Sequence, residues 1–146
     1  MIRFEGTRSF ALPPAEVAAK LSDAGFLAGC VPDAEITESA PDRAVGKVRP
    51  KLSFVTGSLS LEATVTARDP GKSVSYQLVS KVIGGSSTVS TALEFRASAT
   101  GGTDVVWAGE LVAVTGLLKV VPKGLLEGAA KKVIEDIWTG VSAKLT

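Results

Sequence analysis

Residues 58–67 read SLSLEATVTA, and apolar side chains take every second position: Leu59, Leu61, Ala63, Val65 and Ala67 on one face, Ser58, Ser60, Glu62, Thr64 and Thr66 on the other. Strict alternation predicts a strand with one face in a core and one in water. Such half-buried strands belong to antiparallel sheets. The same period continues downstream. SVSYQLVSKV (73–82) sends Val74, Tyr76, Leu78 and Val82 inward, and TVSTALEFRA (88–97) sends Val89, Leu93 and Phe95 inward. In VVWAGELVAV (105–114) both faces are apolar, so Glu110 decides the parity by facing water, which turns Trp107 and Leu111 inward. Turn signals at Asp69-Pro70-Gly71, Gly84-Gly85 and Gly101-Gly102 separate these runs. Adding IRFEGTRSF (2–10), AEITES (34–39) and RAVGKVRP (43–50) gives about seven strands.

The period changes on both flanks. Pro13-Pro14 closes the first strand and opens a short helix, AEVAAKLSD, with Pro14 suited to its first turn and Glu16 favourable beside its N-terminus. Gly25 breaks that helix, and FLAG makes a second apolar turn that Pro32 ends by Val31. After Val114, GLLKVVPKGLLEGAAKKVIEDIWTGVSAKL (116–145) places Leu126, Ala130, Val133, Ile137, Val141 and Leu145 on one helical stripe, widened by Ile134 and Trp138. Thr115 is the expected N-cap, Pro122 the expected kink, and Glu127–Lys131 and Lys132–Asp136 the expected ion pairs.

The order is one strand, two short helices, about six strands and a long terminal helix: an α+β chain of 146 residues read as one domain, 1–146. Seven strands about 4.8 Å apart span roughly 29 Å, whereas one helix with its side chains is about 10–12 Å across. The sheet must therefore curl around the helix, and space left beneath it becomes an apolar pocket. The expected walls are Leu61, Val65, Tyr76, Leu78, Leu93, Phe95, Trp107 and Leu111 from the strands with Leu126, Ala130 and Val133 from the helix. The expected mouth is Phe26 and Leu27 with Leu117, Leu118 and Val121. The small inward residues Ala63, Ala67, Ala97 and Gly109 favour open space; the alternative is that Phe4, Phe95, Trp107 and Trp138 fill the interior.

The chain has no histidine and one cysteine, Cys30. That removes Ser-His-Asp and Cys-His catalysis and the commonest metal ligand, so no metal site is expected. Without an imidazole or second thiol, Cys30 is expected to be a small buried hydrophobe at a turn rather than a nucleophile. A formal charge of +1 lacks the basic footprint of a nucleic-acid binder. The N-terminus has no apolar signal region, and no apolar run reaches the roughly 20 residues of a membrane span. The expectation is a soluble, cytoplasmic protein. The basic run Arg43, Lys47, Arg49 and Lys51 reads as a solvated strand face, with an anionic-lipid or partner surface as the alternative. Arg8 shares parity with Phe4 and Phe10, which places it at the strand's open edge or beside a ligand. Lys119 and Lys123 flank apolar residues at the expected mouth of the pocket, where the plainer reading is an ordinary helix start.

FEGTRSFALPPAEV, LAGCVPDAEITE and LLEGAAKKVIEDI resemble the CoxG family of carbon monoxide dehydrogenase accessory proteins over nearly the whole chain. Asp33 and Val31 stand where that family usually has glycine and isoleucine, and Ser53-Phe54 within LSFVTG replaces its usual Gly-Pro pair. The resemblance implies a START-like (SRPBCC) helix-grip fold and a hydrophobic ligand such as a quinone or lipid. It also implies a role accessory to a CO-dehydrogenase-type molybdenum hydroxylase, recruiting it to the inner membrane face by peripheral contact. Longer members carry an apolar anchor after the helix; here the sequence ends at Thr146, so only weak, salt-sensitive membrane contact is expected.

Three functions stay open at this point. One is a non-catalytic binder of an apolar molecule with no resident cofactor. Another is a START-like enzyme, a cyclase or hydratase, for which the inward positions offer only Tyr76, Thr91 and Arg8 as polar groups. The third is a protein-interaction module that uses the outer sheet face.

Overall fold

The computed structural model describes residues 2–31, 34–48 and 59–145. Alternating sequence becomes strand and the 3.6-residue stripe becomes helix. The elements are β1 (Ile2–Phe10), α1 (Pro14–Leu21), α2 (Ala24–Gly29), β2 (Glu35–Ser39), β3 (Arg43–Val48), β4 (Leu59–Asp69), β5 (Ser73–Val82), β6 (Gly85–Ala97), β7 (Thr103–Gly116), a 3-10 turn (Leu117–Val120) and α3 (Lys123–Leu145). Among the described residues seven strands form one antiparallel sheet in the order β1-β7-β6-β5-β4-β3-β2. Hairpins join β2 to β3 and β4 through β7 in sequence order, while β1 crosses to pair with β7 once the meander is complete. The hairpin at Asp69-Pro70-Gly71 closes through Lys72 N–H donating to the Asp69 carbonyl at 2.9 Å, with Gly71 at φ +78°, where a side chain would be strained.

Three irregularities re-aim side chains. In β4 the register passes from Val65↔Tyr76 to Ala67↔Ser75, so Thr66 is an extra residue and the parity flips after it. Ala67, expected inward, is exposed on the outer face, and Arg68, opposite Val74, takes the inner position instead. There its guanidinium donates to the Ser22 carbonyl at 2.7 Å and the Pro41 carbonyl at 3.1 Å, and pairs with Asp42 at 2.8 Å. In β7, Val112 is the extra residue between Leu111↔Val89 and Ala113↔Thr88. In β2 the extra residue is Thr37. Ala97, also expected inward, is exposed at the end of β6.

Two helix boundaries differ from expectation. The break between α1 and α2 is made by Asp23, whose carboxylate accepts from Gly25 N–H at 2.8 Å and Phe26 N–H at 3.3 Å; Gly25 therefore lies inside the second helix. Thr115 is still strand, its hydroxyl accepting from Ser86 N–H at 3.1 Å. Pro122 does not kink a helix. It precedes one: Val121 is extended, as a residue before proline prefers, and the Pro122 carbonyl accepts from Leu125 and Leu126 N–H. Of the expected pairs, Lys132–Asp136 forms at 3.0 Å. The comparison at Ser53-Phe54, the residues Arg49 and Lys51, and the Pro32-Asp33 part of the cysteine turn lie outside the described residues.

Candidate functional site

Register sorts the inner face of the sheet into rows. One runs Leu61, Ser80, Ser87, Val114; the next Ala63, Leu78, Val89, Leu111, Ile2; then Val65, Tyr76, Thr91, Gly109, Phe4; then Val74, Leu93, Trp107, Gly6. The last of these rows belongs to a closed end. There α1 and α2 are tied to the β2–β3 turn by Ala24 N–H on the Pro41 carbonyl (2.9 Å) and Gly25 N–H on the Ala40 carbonyl (3.1 Å). Val17, Leu21 and Ala24 are fully buried beneath them, with Phe10, Val105, Trp138, Val141 and Leu145 in the same cluster. Trp138 of α3 stands 6.2 Å from Phe10 and 6.0 Å from Trp107, ring centre to ring centre. Two glycines permit close approach at this end, one beneath Trp107 and one between α3 and the end of α2. A Cβ at Gly6 would come 3.1 Å from the Trp107 indole, and one at Gly140 would fall on the Cys30 carbonyl. The Trp107 Nε1–H is buried with no hydrogen-bond partner among the described residues.

Toward the other end the same faces are less closely packed. Phe4, Ala63, Val65, Leu78, Ile134 and Ile137 are half-buried where they pack against the edge of the buried cluster, and beyond them Leu61, Val89 and Thr91 on the strands and Leu126, Ala130 and Val133 on α3 are half-buried outside it. Leu125, in the first turn of α3, is 49 % exposed. The sheet and the N-terminal half of α3 thus turn accessible apolar surface toward each other, which makes the space between them the candidate cleft. Ser80, Ser87 and Thr91 bring hydroxyls to its floor. Two other depressions lie elsewhere. A groove of about 770 Å³ runs over the outer face, lined by Arg3, Glu5, Thr7, Ser75, Glu94 and Ala108 among others. A hollow of about 440 Å³ lies between Leu12, Lys20, Lys144 and Leu145.

The expected pocket residues are thus divided. Tyr76, Leu93, Phe95 and Trp107 belong to the buried cluster; Val65 and Leu78 pack against its edge; Leu111 is buried. Leu61, Leu126, Ala130 and Val133 are half-buried and face the cleft. The residues expected around one mouth are separated too. Phe26 and Leu27 pack against the closed core, with the Lys20 and Lys144 ammonium groups 5.5 and 5.8 Å from the Phe26 ring. Leu117 and Leu118 lie at the opposite end, against Gly84 and Gly85. The reason is the Asp23 cap and the β2–β3 turn, which hold α2 at the far end of the sheet.

Several polar side chains singled out in the sequence are engaged elsewhere in the fold. Tyr76 donates its hydroxyl to the Leu21 carbonyl at 2.6 Å, and burial pushes its pKa up, against the opposing pull of Arg68. Arg8 pairs with Glu135 of α3 at 2.7 Å and lies over Trp138 at 6.0 Å, joining strand to helix. Cys30 is buried at the end of α2, and burial pushes its thiol pKa up while Lys144 opposes the shift. Arg43 of the basic run is paired with Glu38 and, at 3.2 Å, with Glu62. Among the described residues no group of three His, Cys, Asp or Glu could hold a metal ion, and no helix is long and apolar enough to cross a membrane.

A curved antiparallel sheet gripping one long terminal helix, with two short helices after the first strand, defines a START-like helix-grip fold. Solved structures share it: a conserved protein from Geobacillus kaustophilus (16 % identity over 99 % of this chain and 95 % of that one, TM-score 0.82) and a START superfamily protein from Mycobacterium smegmatis (11 %, 98 % and 96 %, TM-score 0.70). A third is the Zhui aromatase/cyclase from Streptomyces sp. R1128 (14 %, 99 % and 93 %, TM-score 0.66). The chain belongs to the polyketide cyclase/dehydrase and lipid transport family, whose model matches residues 1–146. No curated protein matches it in sequence.

Proposed function

We propose that this protein is a non-catalytic binder of an apolar small molecule, held between the open half of the sheet and α3. The observation that carries this reading is the set of half-buried apolar side chains beyond the packed cluster, Leu61 and Val89 from the strands and Leu126, Ala130 and Val133 from the helix. Apolar surface left in that state favours an apolar occupant, at roughly 25 cal/mol per Å² removed from water. Lipid transport is one half of the family's description. Cyclase chemistry is the other half, and it needs an acid and a base inside the cleft. The inward positions of the described strands carry no carboxylate, while Tyr76 and Arg8 are already committed to Leu21 and Glu135.

The finer reading comes from the likeness of LAGCVPDAEITE to CoxG: a quinone or lipid as ligand, and a cytoplasmic role accessory to a CO-dehydrogenase-type molybdenum hydroxylase. Thermal melts with and without a menaquinone analogue test the binding. Wild type should be stabilised, because a ligand bound only by the native state raises the melting temperature. Ala63→Trp should remain folded and lose that response. An unresponsive wild type together with a destabilised Ala63→Trp would mean that the interior is filled, and the binder reading would fail.

A further inference from the structure

Three connections meet at the open end of the fold: the β5–β6 turn at Ile83-Gly84, the 3-10 turn at Leu117–Val120 and the first turn of α3. They are tied together. Leu117 N–H donates to the Gly84 carbonyl at 2.7 Å, and Leu118 is buried against Gly85. With Leu118 as the anchor, the neighbouring side chains are turned outward: Ile83 is 77 % exposed, Leu117 65 %, Val120 80 % and Leu125 49 %. Single exposed apolar residues are ordinary, but four of this size on adjoining connections form a patch that calls for a partner.

The charge around the patch selects among partners. Lys81, Lys119 and Lys123 are exposed, and among the described residues none of them is in an ion pair. The stretch 116–126 contains no acidic residue. The N-terminus of α3 adds positive partial charge at the same place. Two copies meeting through this end would bring like charges together. An anionic lipid surface instead supplies phosphates for the ammonium groups and an acyl boundary for the apolar side chains. We propose that this end docks on anionic bilayers, with Ile83, Leu117, Val120 and Leu125 entering the interface and the three lysines on the headgroups. The cleft opens beside the same patch, so docking would place its entrance at the lipid surface.

Docking at this end does not require a ligand between the sheet and α3, and vesicle sedimentation tests it separately from the thermal melts. The probes are phosphatidylcholine vesicles with and without phosphatidylserine. Wild type should sediment with the anionic vesicles and bind phosphatidylcholine alone far more weakly. Leu117→Ser/Val120→Ser should weaken anionic binding by about tenfold or more. Lys81→Gln/Lys119→Gln/Lys123→Gln should remove the preference for phosphatidylserine and the dependence on salt. All of these residues are exposed, so melting temperatures should stay at the wild-type value. Wild-type protein that leaves anionic vesicles unbound at low salt would overturn the proposal. So would binding indifferent to the serine variant, or a dimer in sedimentation velocity that the serine variant dissolves.

Discussion

At one end of the sheet Trp138 meets Phe10 and Trp107 over fully buried Val17, Leu21 and Val105, while earlier in the same helix Leu126 and Val133 stay half-buried, like Leu61 and Ala63 on the strands. Both regions use apolar residues on the inner face of one sheet and one side of one helix. What differs is a third layer. At the closed end α1 and α2 are laid across the sheet and pinned by the Asp23 cap, the Arg68 guanidinium and the Tyr76 hydroxyl. Nothing comparable is placed over the other end by the described residues, so the single helix is left to cover more sheet than its width allows. Burial in this fold is thus decided by what crosses the sheet, not by how apolar each strand is.

The largest effect should come from paired truncations. Trp138→Ala should cost about 3–5 kcal/mol in urea unfolding, whereas Leu126→Ala should cost about 1 kcal/mol or less, because a side chain at a gap loses few contacts. Comparable losses would erase the distinction between the two ends. Next comes Gly140→Ala. Helix propensity alone would make it stabilising by up to about 1 kcal/mol. With the Cys30 carbonyl in the space that a Cβ needs, we expect destabilisation of about 2 kcal/mol, and a stabilised variant would show that α2 is free to move. Arg68→Ala should cost about 1–2 kcal/mol by leaving the Ser22 carbonyl without its side-chain donor and the Pro41 carbonyl with Ala24 N–H alone, an effect readable in the urea midpoint.

The smallest effect is alkaline. Burial raises the pKa of both Cys30 and Tyr76, so the folded state holds these protons at pH values where the unfolded chain has released them. Native protein then binds more protons than unfolded protein, and stability falls as pH rises above about 9, while below that it is insensitive to either group. Thermal melts across that range should decline in wild type and decline less in Cys30→Ala. A flat wild-type profile would mean that the closed end admits water.

Much of this is legible in the sequence, for identifiable reasons. β1 occupies the residues that alternation assigns, 2–10, and Glu110 correctly orients Trp107 and Leu111, because period two and period 3.6 survive in the letters whatever packs on them. Bulges do not survive in that way. Thr66 looks like any other outward polar residue, yet as an extra residue it turns Ala67 out and Arg68 in. The start of α3 is hidden because GLLKVVP is apolar enough to continue a stripe, and only the restraint that Pro122 puts on Val121 marks it as a separate turn. Which inward residues are dry and which face a gap depends on where α1 and α2 lie, and that follows from contacts far apart in sequence, such as Ala24 with Pro41.

Trp107 and Trp138 are the chain's only tryptophans, and their rings stand 6.0 Å apart within the packed end. At that separation the two indole transitions should couple, giving the native protein an optical signature in the near-ultraviolet. Light absorbed by either ring reports on the same few ångströms of interior. A quinone-type absorber entering the cleft would quench that emission directly, and an unlabelled sample in a fluorimeter would then report occupancy of the interior in real time.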